Sequence, residues 1–145
     1  MQCCAIVKKI IAGSVLAGML VGFIACEHQL AEPPPPLEPT LSSIQANILD
    51  KSCVNRGCHP GNFAPMSLQT GQSFSTLVNV NSAYGNPRIL RVKPGDSNNS
   101  VLYLKITGSA TVGGAANRMP LGFSALSTEE INAIRDWIDA GAQNN

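Results

Sequence analysis

Cys53, Cys58 and His59 are the residues of this 145-residue chain best suited to chemistry, and they sit in one short run, Cys53-Val54-Asn55-Arg56-Gly57-Cys58-His59. Two thiols with an imidazole directly after the second can hold a c-type haem. The sulfurs form thioethers with the vinyl groups, and the histidine beside the second cysteine is aimed at the iron. The usual attachment pattern has two residues between the cysteines; here there are four, Val54 to Gly57. The intervening loop must therefore bulge outward, and Asn55 and Gly57 are expected to allow it by taking positive φ. The same residues admit a plain Cys53–Cys58 disulfide, because exported proteins usually oxidise paired cysteines. They also admit a Cys2His metal site, which needs a fourth ligand. Spacing alone leaves all three open.

The amino terminus bears on the compartment. Lys8 and Lys9 precede an apolar run from Ile10 to Ala25, which is short of the roughly 20 residues that span a bilayer. The run reads as a bacterial export signal over residues 1–25. Gly22-Phe23-Ile24-Ala25 before Cys26 resembles a lipobox, with Phe23 where such boxes usually carry Leu. Cys26 is accordingly the expected lipidated first residue, and the domain is expected in the bacterial cell envelope, periplasmic or on its outer face. With Cys3 and Cys4 in the signal and Cys26 taking the lipid, only Cys53 and Cys58 of the five cysteines remain in the folded part. Haem attachment of the c type is completed outside the cytoplasmic membrane, so motif and compartment agree.

Residues 26–40 form the tether. Pro33, Pro34, Pro35, Pro36 and Pro39 forbid helix and enforce an extended, semi-rigid spacer. The folded domain is expected over residues 41–145. Loss of Lys8 and Lys9 takes the 10 basic residues to 8, against 9 acidic ones. That balance offers no basic stripe for nucleic acid. Of the two histidines, His28 falls in the tether, so His59 alone serves the domain and one haem is the maximum.

Enzyme readings find little support. The stretch Gly108 to Gly114 lacks the Gly-Lys-Ser/Thr that cradles phosphates and reads as a flexible loop before Met119. With His59 the only histidine in the folded part, no serine or cysteine pairs with a separate histidine base. Glu129 and Glu130 sit where a helix begins, and capping accounts for them.

The elements that must position these groups are helical, so the class is all-α. Leu41, Ile44, Ile48 and Leu49 keep helical spacing, with Thr40 as cap, in a first helix that delivers Cys53 just past its end. A short helix over Ser73 to Val78 is expected to bury Phe74, Leu77 and Val78. Asp96 or Ser97 is expected to cap a third, with Val101, Leu102 and Ile106 inward. The last is the clearest, with a Ser127 cap, a Glu130 capping box, an Ile131, Ile134, Ile138 stripe and a stop at Gly141. Ile89 to Val92 is expected to pair briefly as strand.

Laid out this way, the chain resembles the class I cytochrome c fold, in particular the single-haem domains of exported bacterial proteins, over Leu41 to Ala142. The marks occur in order. They are Cys58-His59-Pro60, Val92-Lys93-Pro94-Gly95-Asp96 leading into Ser100-Val101-Leu102-Tyr103, Arg118-Met119-Pro120-Leu121-Gly122, Leu126 to Ile131, and Trp137 to Ala142. The resemblance implies three to five helices with long loops around one covalently bound haem, with Ile44 and Ile48 packed against Ile134 and Ile138.

It further implies that Cys53 and Cys58 bond the vinyls, that His59 supplies the proximal nitrogen, and that Met119 supplies the distal sulfur. A thioether favours ferrous iron and raises the potential, and Pro120 holds Met119 in an extended backbone. Met66 is the rival ligand. The Pro60 to Pro65 loop is expected to offer an acceptor to the second imidazole nitrogen, Pro65 first. Arg88, Arg91 and Arg118 are candidates for the propionates. Trp137 and Tyr103 are candidates to cover the ring edge, with core packing the alternative for Trp137. The function implied is electron transfer by a membrane-tethered, non-enzymatic haem protein to a redox partner. The alternative is a haem-free lipoprotein binding domain with a Cys53–Cys58 disulfide.

Overall fold

The computed structural model describes residues 36–60, 66–83, 89–109 and 117–145. Contacts divide the chain into Met1–Pro33 and Pro34–Asn145, and everything described belongs to the second unit. The signal, lipidation and proline-tether readings, Cys26 included, lie almost entirely outside the described residues; so do Pro65 and Arg88. No described helix is long and apolar enough to cross a membrane.

Among the described residues the fold is helical, with no strand beyond isolated bridges. Helix α1 (Leu41–Ile44) is capped by the Thr40 hydroxyl, which accepts from the Ser43 amide, as its sequence predicts. It runs on as a π-helical segment (Gln45–Val54) instead of continuing as α-helix. In such a segment hydrogen bonds link residues five apart, and the type is frequent at functional sites. Side chains five apart then meet, and the buried Gln45 Nε2 donates to Asp50 Oδ1 at 2.6 Å. Gln45 also bonds the Leu68 carbonyl and accepts from the Ser73 hydroxyl, tying the segment to the start of the next helix.

Helix α2 (Ser73–Leu77) is one residue shorter than expected. Val78 turns extended, and of the predicted apolar trio only Leu77 is fully buried. The expected pairing of Ile89 to Val92 takes the form of bridges from Val78 to Val92 and from Asn81 to Leu90. Asp96 does cap, but what it caps is a short 3-10 turn (Ser97–Asn99). Helix α3 (Val101–Thr107) then starts at Ser100, whose hydroxyl is turned back to the Asp96 carbonyl and does not cap. Helix α3 ends at Gly108, which takes φ +74°. Helix α4 (Thr128–Asp139) carries the predicted capping box in full: Ser127 accepts from the Glu130 amide and Glu130 accepts from the Ser127 amide.

The core joins the two ends of the domain. Ile44, Ile48, Ile134, Trp137 and Ile138 are at most 1% exposed and belong to one cluster, and α1 touches α4. This is the pairing of first and last helices that the resemblance implies. The C-terminal Asn145 completes it by accepting from the Leu41 and Ser42 amides, which a helix start otherwise leaves unpaired. Packing reaches back to Leu37, whose amide donates to Glu129 in the first turn of α4.

Candidate ligand cavity

The π segment ends at Val54, and the next four residues fold back on it. Gly57 takes φ +78° as expected, whereas Asn55 is helical at φ −66° and caps the segment by donating to Asp50. One left-handed residue suffices because the fold-back is held by hydrogen bonds. The Gly57 amide donates to Val54, and the His59 amide donates to the Cys53 carbonyl at 3.1 Å. The His59 carbonyl in turn accepts from the Leu68 amide at 2.9 Å. The imidazole therefore projects from a backbone pinned on both sides, one residue after Cys58.

Met119 arrives from the other direction. Its amide donates to the Lys105 carbonyl at 2.9 Å, on the last turn of α3. Gly108 suits that approach, since it takes φ +74° and a Cβ there would lie a tight 3.3 Å from the Arg118 Cβ. The loop after Met119 is stitched by Arg118, whose guanidinium donates to the Met119 and Phe123 carbonyls. Arg118 is thus engaged with backbone and is not among the described residues lining the cavity. Arg56, between the two cysteines, lies 4.4 Å over the Phe123 ring and links the cysteine loop to the methionine loop.

Between these elements is a cavity of about 420 Å3, within the about 300–1,000 Å3 typical of ligand clefts. Cys53, Cys58, His59 and Met119 all line it, with Leu68, Leu77, Val101, Leu102 and Ile106 as apolar walls. Met66 lines it too, so the rival methionine is brought to the same space. Arg91 lines it while donating to the Thr76 carbonyl. Trp137 does not; it is core, with its indole N–H donating to the Gln143 carbonyl at 2.8 Å. Tyr103 packs on the core cluster as well. Comparison with protein families, curated proteins and solved structures finds no match.

The electrostatics of the lining narrow its chemistry. Burial pushes the Cys53 thiol up to about 11, the neighbouring Cys58 adding to the effect and Arg56 opposing it. A thiolate is therefore disfavoured there, and thiolate is the form a zinc-type site requires. Among the described residues no three His, Cys, Asp or Glu side chains are grouped to share a metal ion, so the three motif residues do not converge as a Cys2His centre. Both cysteines are free thiols. Burial also lowers the His59 pKa, the Met66 backbone pulling the other way, which keeps the ring neutral and competent as a ligand. His59 Nδ1 is buried and makes no hydrogen bond of ordinary geometry, even to Met66.

Among the lining residues that sequence reasoning did not single out, Lys105 is the charged one. Lys105 on α3 is 8% exposed and faces the cavity with Val101, Leu102 and Ile106. The signal was available: a lysine one helical turn after Val101 and beside Ile106 lies on the apolar stripe of its own helix.

Proposed function

We propose that this cavity takes one c-type haem and that the domain is an electron carrier, tethered to a bacterial membrane through lipid on Cys26 and serving a redox partner protein. The observation that carries the proposal is the meeting of Cys53, Cys58, His59 and Met119 on one apolar cavity, although 66 positions separate the first from the last. The haem would supply a one-electron iron couple.

The donor set fits that group. A thioether is neutral, so burial that penalises a Cys53 thiolate does not oppose it. Neutral His59 offers a nitrogen to iron, and its clamped backbone fixes where the ring can point. An orphaned buried nitrogen is the group expected to gain a carbonyl partner when the ring is ligated. Met119 brings a soft sulfur from the opposite chain segment, which favours ferrous iron. The apolar walls lower the polarity around the site, which works in the same direction. No bond in a substrate is made or broken, so the role is electron transfer and not catalysis.

The test is the full chain expressed in a host able to attach haem. Haem that stays with the polypeptide through denaturing electrophoresis is expected, with Cys53→Ala and Cys58→Ala each weakening that attachment. Met119→Ala should keep the haem attached and lose the low-spin six-coordinate spectrum. A colourless wild-type product with Cys53 and Cys58 joined as a disulfide overturns the proposal. An unchanged Met119→Ala spectrum moves the distal role to Met66 or elsewhere.

A further inference from the structure

Gln45 is a polar side chain at a core position, 7% exposed at the head of the π segment whose other buried residues include Ile48 and Leu49. A buried amide gives up its water and must find hydrogen bonds in exchange, which an apolar side chain of the same size need not do. Gln45 finds three. Its Nε2 donates to Asp50 Oδ1 at 2.6 Å and to the Leu68 carbonyl at 2.9 Å, and its Oε1 accepts from the Ser73 hydroxyl. A carboxylate and a carbonyl only accept, so the amide has one orientation that satisfies all three partners. The Thr70 hydroxyl donates to Asp50 Oδ2 at 3.1 Å and holds that carboxylate in place.

His59 is gripped at two points, and Gln45 stands between them. The His59 amide donates to the Cys53 carbonyl near the far end of the π segment, and the His59 carbonyl accepts from the Leu68 amide. Gln45 belongs to that segment and holds the Leu68 carbonyl. A closed circuit results, running from Gln45 along the π segment to Cys53, across to His59, on to Leu68 and back to Gln45. The peptide joining Ser67 to Leu68 is held from a further side, because the Thr76 hydroxyl donates to the Ser67 carbonyl at 2.6 Å while the same peptide gives its N–H to His59. Hydrogen bonds in series through one peptide group polarise and strengthen each other. The Leu68 side chain is 2% exposed and lines the cavity, so packing and both backbone groups fix this residue.

We propose, resting on the haem reading above, that Gln45 is a positioning residue for His59: by closing the circuit it fixes where the imidazole stands in the cavity, without lining the cavity itself. Groups behind a ligating histidine set its orientation and its strength as a ligand, and here the control reaches the ring through its backbone. The π register then has a purpose. In a turn of that kind residues five apart meet, so Gln45 reaches Asp50 and is aimed at Leu68, whereas at 3.6 residues per turn the two side chains would diverge around the helix.

The full chain tests this with Gln45→Met, which keeps the length and removes all three hydrogen bonds, and Asp50→Ala, which leaves the bond to Leu68 in place. In the haem-free chain, hydrogen exchange of the Leu68 amide should be about tenfold faster in Gln45→Met, as the loss of one hydrogen bond gives, and less than about threefold faster in Asp50→Ala. The Ile134 amide of α4 is the reference that separates this from general loosening. In chain loaded by a haem-attaching host, proton NMR of the ferric form reads the His59 ring, whose resonances should move in Gln45→Met and stay close to wild type in Asp50→Ala. Wild-type chain without covalent haem on denaturing gels overturns the carrier reading and this role with it. Haem attached with ring resonances unmoved in Gln45→Met overturns the positioning role and leaves the carrier standing, even where Leu68 exchanges faster. An unchanged Leu68 rate, or equal effects from Asp50→Ala, overturns the circuit. Should Gln45→Met not fold, Gln45→Glu decides: its carboxylate keeps the acceptor for Ser73 and loses the donor to Leu68, so the same two changes support the role, and their absence or a second failure to fold overturns it.

Discussion

The two halves of this domain solve opposite problems. On the side where α1 meets α4, the large side chains are buried against one another and the polar groups are answered. The Trp137 indole N–H has its carbonyl, Ser127 and Glu130 satisfy each other, and Asn145 supplies the acceptors that the start of α1 lacks. On the cavity side the groups are left wanting. His59 Nδ1 is orphaned, the Cys53 thiol is raised, and Leu121 and Phe123 are 52% and 46% exposed. Native structures satisfy buried polar groups almost everywhere, and among the described residues the one unsatisfied buried side-chain atom, His59 Nδ1, belongs to a residue that lines the cavity. The helix clamp is thus the better-satisfied half of the domain, and the cavity is the half that the proposed ligand would complete.

The largest effect should come from breaking the clamp. Trp137 is 1% exposed in the centre of the cluster, and Trp137→Ala should cost about 3–5 kcal/mol, the range for removing a large core aromatic. Urea unfolding of the haem-free full chain measures it, with Met119→Ala as the contrast. Met119 is half-buried, and without a ligand its truncation should cost less than about 1 kcal/mol. Equal losses at the two positions would mean that stability is not divided as described.

Burial of Cys53 gives a second contrast, in pH. The folded thiol titrates near 11, against 9.0 for the unperturbed group. Between those values the folded state holds a proton that the unfolded chain has released, so stability is full below pH 9 and falls as pH rises toward 11. Two units correspond to about 2–3 kcal/mol lost by the haem-free chain. A thioether has no proton to lose. Chain with haem attached should therefore lack this fall, and urea midpoints collected across the alkaline range for both forms check it. An identical alkaline fall in both would show that another group is responsible.

How much of this was legible obeys the same division. Helix α4 was readable because its signals are local: a capping box three residues apart and an isoleucine stripe at helical spacing. The meeting of α1 with α4 was expected from the family resemblance, the apolar spacing supplying only which faces would meet. The π segment was not readable, since Leu41, Ile44, Ile48 and Leu49 fit a 3.6-residue period while the turn they occupy is set by the Gln45, Asp50, Leu68 and Ser73 hydrogen bonds. Asn55 was misjudged because Gly57, two residues on, takes the left-handed turn by itself. That Arg118 would donate to the carbonyls of its own loop had no signal in the sequence. Cys53, Cys58 and His59 stood out in the sequence by their spacing and Met119 by the resemblance, and the structure brings all four to one cavity. Lys105 was not singled out, since a charge on an apolar stripe has meaning only once the stripe is seen to line a cavity.

The smallest effect tests whether the division holds for a single helix end. Ser127→Ala removes an acceptor from the Glu130 amide in the capping box and should cost about 1 kcal/mol. The loss is local to the first turn of α4, where it should appear as faster hydrogen exchange of the Glu130 and Ile131 amides. Ser127 does not line the cavity, so the haem spectrum and midpoint potential of the loaded protein should stay where they were. Distant sites add, and the Ser127→Ala, Met119→Ala double variant should show the sum of the two stability losses within about 0.5 kcal/mol. A larger coupling would mean that the end of the clamp and the methionine loop move as one unit, and the two halves of the domain would then have to be treated as a single cooperative structure.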